Sequence, residues 1–279
     1  MKIITLIDNR GQSENFETEH GLSLYIETDD NQKILYDTGQ SDLFIHNAQK
    51  LGVDLKDIDL VVISHGHYDH IGGLIAFFEI NKIAKVCVNA SIFNYEYFSV
   101  KNGVKKMNGF SEKLLEYRER FVFLDTNIQV GNLRLIVRIK DTYAKPKGNA
   151  ILYRQNKDGE ELDEFSHELI LVVESSEKLC VLTGCAHNGV LNIVATVQTV
   201  VPQKEIHCLY GGFHLIDGKD FVEVETTEEL TNIAEELMNL LPTTKFYTGH
   251  CTGEKAIQVL SEKMDGKLKT FYVGKVVTI

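Results

Sequence analysis

The 279-residue chain has no tryptophan and only three prolines. Its five cysteines, Cys87, Cys180, Cys185, Cys208 and Cys251, are odd in number and none forms a CxxC pair. A disulfide framework is therefore not expected, which fits a reducing compartment. No apolar run approaches the roughly 18 residues that a membrane span needs. The opening MKIITLIDNR is broken by Asp8 and Arg10 before it reaches the length of a signal-peptide core, and it reads as the first strand of a cytoplasmic protein. Basic residues are also scarce. Twenty-nine Lys and Arg against 40 Asp and Glu leave a net charge of −11, with no basic block beyond pairs such as Lys105–Lys106. Neither nucleic acid nor membrane is an expected partner; a small-molecule substrate is.

What is present is an ordinary globular balance, 43% hydrophobic and 25% charged, with no internal repeat or low-complexity stretch. The chain reads as a single domain over 1–279. Its organising stretch is LVVISHGHYDHIGGL, residues 60–74. Leu60, Val61, Val62 and Ile63 form a short buried strand, and Ser64 ends the run. His65, His67, Asp69 and His70 then place four metal-capable side chains within six residues. A strand continuing past Ser64 would put His65 and His67 on one face. Asp69 and His70 fall on the turn into a helix containing Ala76, Phe77 and Phe78. Two ligand pairs offset in this way can serve two metal ions, and imidazole suits zinc, iron, copper and nickel alike.

Three later strings repeat the pattern of strand, glycine, ligand-type residue. Leu179–Leu182 runs into Thr183-Gly184-Cys185-Ala186-His187-Asn188-Gly189, followed by a helix from Val190. Glu205–Tyr210 runs into Gly211-Gly212-Phe213-His214. Lys245–Tyr247 runs into Thr248-Gly249-His250-Cys251. His187 and His250 are the expected ligands from this half. His214 is the expected acid/base or substrate contact. Cys185 and His167 are open as ligands, whereas Cys87 and Cys180 read as core thiols and His46 as a surface residue.

Elsewhere, Leu22–Glu27 and Lys33–Tyr36 form a hairpin about TDDNQ. Asp37-Thr38-Gly39 closes it, with Asp37 placed to orient a ligating histidine. Leu169–Glu174 and Leu179–Leu182 form a second hairpin about SSEK. Residues 91–119 are rich in aromatic and charged side chains and read as irregular helix and loop. They read either as a lid insertion whose aromatics, Tyr95 and Tyr97 among them, would meet substrate, or as a packed surface subdomain. Phe271–Ile279 reads as the last strand.

SHGHYDH resembles the HxHxDH signature of the metallo-β-lactamase superfamily. Together with GCAHNGVLNI, GGFHL and TGHCTG, it resembles the subfamily of dihydropterin–ribofuranosylaminobenzene 5′-phosphate synthase-like proteins. The resemblance covers about residues 20–255. It implies an αββα four-layer sandwich of the α/β class, with the metal site at one sheet edge. The implied metal ligands are His65, His67, Asp69, His70, His187 and His250, holding one or two divalent ions, zinc foremost, with manganese or iron as alternatives. The catalytic groups would be Asp69 and His214. In the wider superfamily an Asp bridges two metals where Cys185 stands here. The implied activity is a metal-dependent hydrolase acting on a small, phosphorylated or ester substrate through a metal-activated water. The alternative is a synthase-like transferase displacing diphosphate. A di-iron redox protein is disfavoured, because the HxHxDH motif is intact and the chain is too short for a flavin domain.

Overall fold

The structure, a computed structural model, describes residues 1–11, 13–175, 178–218 and 222–279. Two seven-stranded sheets form its centre. In the first, strands run in the order 276–278, 2–7, 23–27, 33–36, 60–62, 85–89 and 121–124. The second runs 268–270, 245–248, 205–210, 178–182, 170–175, 133–136 and 128–130. In each sheet, four consecutive strands are parallel and the rest antiparallel.

Alternation of side chains builds the layers. Ile3, Leu24, Tyr36 and Val62 face the second sheet and pack on Leu135, Leu171, Val173 and Leu182. Their neighbours Ile4, Tyr25, Leu35 and Val61 face outward, against Phe44, Ala48, Phe77 and Phe78 of the helices Leu43–Lys50 and Leu74–Ile80. Across the molecule, Ile170, Val172, Val181 and Leu209 are covered by the helices Val190–Val200, Thr227–Leu240 and Glu254–Lys263. A strand buried on both faces carries a continuous apolar run, as these do. The result is the expected sandwich of helix, sheet, sheet and helix.

Two expectations are corrected. Residues 91–119 are not irregular helix and loop throughout. Glu96–Lys101 and Val104–Met107 are strands of a third, four-stranded antiparallel sheet completed by Leu152–Asn156 and Gly159–Leu162. The apolar signal was masked because one face of this small sheet is polar and exposed. Phe271–Ile279 is not one strand: Leu268–Thr270 pairs in the second sheet and Val276–Thr278 in the first, with the chain crossing between sheets at Tyr272–Lys275. The SSEK turn lies partly outside the described residues, but its flanking strands pair antiparallel. No described helix is long and apolar enough to cross a membrane.

Candidate metal centre

The ligand-type residues follow the C-terminal ends of parallel strands, where an open α/β sheet gathers its loops. Strand 60–62 stops before His65, so the histidines lie on a loop and not on a continued strand; the short helix Tyr68–Ile71 then carries Asp69 and His70. Strand 33–36 delivers Asp37, strand 178–182 Cys185 and His187, strand 205–210 His214, and strand 245–248 His250. Asp37, Ala186, His214 and His250 have φ between 49° and 58°, in the left-handed region that non-glycine residues rarely occupy. The loops also meet closely. A Cβ on Gly184 would lie 2.1 Å from Ser64 Oγ, so only glycine lets the two halves touch there.

Hydrogen bonds at Nδ1 aim the imidazoles. The Ser64 hydroxyl donates to Asp37 Oδ2 at 2.7 Å and so accepts from His65 Nδ1 at 2.9 Å. His70 Nδ1 donates to Asp37 Oδ2 at 2.6 Å. His187 Nδ1 donates to Asn149 Oδ1 at 2.9 Å, and His250 Nδ1 to Asn9 Oδ1 at 3.2 Å. Each of these four rings therefore turns its Nε2 lone pair inward. His70 Nε2 and His250 Nε2 stand 3.0 Å apart, with Cys185 Sγ 3.2 Å from His70 Nε2. His65 Nε2 is 3.1 Å from His67 Nδ1. His187 Nε2 is buried with no hydrogen-bond partner among the described residues.

Converging lone pairs repel unless a proton or a metal cation lies among them, and this donor set fits a metal. His65, Cys185 and His187 offer ligand atoms within 4.8 Å of one another, as do His70, Cys185 and His250. Cys185 thus stands between two ligand groups. Asp69 Oδ2 lies 3.3 Å from His250 Nε2 and 3.5 Å from His70 Nε2. Without a metal, charge is carried unevenly. Burial opposes the charge on His70, but Asp69 and Asp37 outweigh it and carry its pKa up to about 10. Burial holds His67 down to about 3. Burial and the neighbouring Cys251 thiol keep the Cys185 thiol well up, so a metal must displace its proton.

All the expected ligands, His65, His67, Asp69, His70, His187 and His250, are drawn into this one cluster. His167 is close but committed elsewhere. Gly66 N–H donates to its Nδ1 at 3.1 Å, and its Nε2 donates to Asp163 Oδ2 at 3.0 Å, leaving no lone pair for a metal. The His214 ring lies 4.1 Å from that of His187, tilted by 53°, and neither of its buried nitrogens has a hydrogen-bond partner among the described residues. Tyr97 is no substrate contact: it is fully buried, with its hydroxyl on Ile92 O. Tyr95 lies under Arg154, away from the cluster. His46 is on the surface beside Glu17. Sequence reasoning missed His20, whose Nε2 is 3.3 Å from Asp69 Oδ2 and whose ring packs on His250. It sits in the polar 8–21 loop, where nothing local distinguishes it. Glu168 was missed too; it accepts the His187 and Asn188 N–H groups and shapes the second ligand loop.

The cluster forms the floor of an open cavity of about 640 Å³, lined also by Arg10, His20, Lys101, Lys106, Ile151 and Ile216. Comparison with known proteins agrees with this fold. A crystal structure described as a metal-dependent hydrolase of the beta-lactamase superfamily superposes with a TM-score of 0.82, at 28% identity over 100% of this chain and 99% of that one. The 7,8-dihydropterin-6-methyl-4-(beta-D-ribofuranosyl)-aminobenzene-5′-phosphate synthase of Methanocaldococcus jannaschii is 26% identical, across 99% of this chain and 96% of the synthase. An uncharacterized protein of the same organism is 28% identical across 98% of both chains. The named relatives are enzymes, and the family model that matches residues 18–160 spans the HxHxDH loop and the first sheet's parallel strands. The chain belongs to the metallo-beta-lactamase superfamily.

Proposed function

We propose that the protein is a metal-dependent hydrolase of a small phosphorylated or ester substrate. The observation that carries this reading is a buried nest of inward-facing Nε2 atoms at the floor of a cavity open to solvent. A structural site would be closed over by protein ligands; this one leaves a face for substrate. Imidazoles with one thiolate favour zinc over the hard ions. A divalent ion held there acidifies a water and polarises a carbonyl or phosphoryl oxygen of the substrate.

The chain's own residues supply the rest. Asp69, held between His20, His70 and His250, offers a carboxylate oxygen that can orient the attacking water. His214, with both nitrogens free at the cavity wall, can protonate a leaving group. The test pairs elemental analysis of protein purified without added metal with turnover of bis-p-nitrophenyl phosphate and of a lactone. Two metals per chain and measurable turnover are expected. His214→Gln should keep the metals and lose about 100-fold in rate. Metal-replete protein inert on both substrates would overturn the hydrolase reading.

A second reading has its own support. Similarity to the synthase runs through nearly the whole of both chains, and Cys185 occupies the place of the superfamily's bridging Asp. On that reading, the same cluster would hold a departing diphosphate. Inertness on both ester substrates, with diphosphate displaced from a dihydropterin diphosphate, would favour it.

A further inference from the structure

The cavity has a wall that the chemistry at its floor does not use. In the hairpin Glu96–Lys101 and Val104–Met107, Ser99 faces Lys106 and Lys101 faces Val104. Alternation puts these four on one side of the small sheet, and all four line the cavity, with Asn108 extending the row. The hairpin is anchored to the ligand loop. Asn108 N–H donates to Tyr97 O at 3.0 Å, Tyr68 N–H donates to Asn108 O at 2.9 Å, and Gly109 pairs with His67. The wall therefore keeps a fixed position relative to the metal ligands.

Lys105, on the opposite face, binds Gln155 and Glu160 and sits 3.7 Å over the Phe98 ring. Arg10, at the cavity mouth, is held by Glu254 at 3.0 Å and Asp8 at 3.7 Å. Lys101 and Lys106 meet no carboxylate among the described residues. In a chain of net charge −11, these two ammoniums, on one wall and both turned to the cavity, make a local positive patch over the cluster. Beside them, Asn108 Oδ1 is buried without a partner.

We propose that Lys101 and Lys106 bind a phosphate monoester on the substrate, remote from the reacting bond, so that the site selects phosphorylated small molecules. The proposal rests on the reading of this cavity as the substrate site. A phosphate monoester carries about −1.5 to −2 at neutral pH, which two ammoniums match and a carboxylate does not. Lysine serves phosphate as a point charge, suited to a hairpin wall without a planar fork. Asn108 Oδ1 accepts from a neighbouring hydroxyl of the same molecule. A cavity of about 640 Å³ holds a ligand long enough to reach from this wall to the floor.

The test is calorimetric titration of the metal-loaded protein with ribose 5-phosphate, using ribose as the uncharged match. Ribose 5-phosphate should bind and ribose should not. K101Q/K106Q should weaken binding about tenfold or more, and K105Q should leave it unchanged. Binding that survives in K101Q/K106Q but disappears in His67→Ala would place the phosphate on the metals and overturn the proposal. So would no detectable binding to the wild type. Failure of the hydrolase reading is seen separately: bis-p-nitrophenyl phosphate would not turn over, while lysine-dependent binding persisted.

Discussion

Asp37 is the residue on which most of the ligand geometry converges. It is fully buried and receives the Ser64 N–H, the Ser64 hydroxyl and His70 Nδ1. One carboxylate thereby fixes the ring of His70 directly and that of His65 through Ser64. Asp37→Asn preserves the volume but not the three acceptor bonds. Metal affinity should fall about 10- to 100-fold, read by chelator competition; unchanged affinity would mean that the rings are oriented by packing alone. Asp163 plays a similar part for His167. Burial opposes its charge, but His167 outweighs burial and holds it down to about 2, against an ordinary value of 3.8. A depressed carboxyl contributes stability above the ordinary value, and that contribution is lost as pH falls through about 2. Asp163→Asn should therefore cost on the order of 2 kcal/mol near pH 6 and nearly nothing below pH 2, in denaturant melts. A cost independent of pH would show that the pair contributes no ionic stabilisation.

At the scale of elements, strong local patterns were readable and weak ones were not. The apolar runs at 34–36, 61–63, 179–182 and 208–210 are buried on both faces, so these stretches carry little competing polar signal. The histidines that follow them converge because parallel strands end on the same edge. The hairpin at 96–107 escaped notice because Val104–Met107 is wholly exposed and has no apolar alternation to detect. The division of 268–279 between two sheets also left no local mark, since pairing across sheets is a tertiary choice. His20 and Asn149 reach the centre only through loops whose paths depend on the finished fold. Contact between the two ligand loops depends on Gly184, where a side chain would strike Ser64. Gly184→Ala should destabilise the protein by about 2 kcal/mol in chemical denaturation and lower metal content together. A stable, fully metallated variant would show that the loops can separate without harm.

For the whole molecule, the centre lies on a seam. His65, His67, Asp69 and His70 belong to the first sheet's loops, whereas Cys185, His187 and His250 belong to the second's. The sheets already share an apolar interface, so the metals are not needed to build the sandwich. A cation held there would instead relieve the crowding of lone pairs at its edge. Metal bound only by the folded state stabilises it by mass action, about 2.7 kcal/mol when free metal is 100 times its dissociation constant. Chelation should therefore lower Tm by about 5 °C while leaving the circular dichroism of the folded protein intact, and readdition of metal should restore it. His187→Ala removes a buried, unpartnered Nε2 lone pair from the crowded centre together with an expected ligand. Its metal-free form should melt above the metal-free wild type if crowding is what the cation relieves. If it melts below, the wild-type cluster is held comfortably by its hydrogen bonds and proton alone, and the geometric case for metal at this seam is lost.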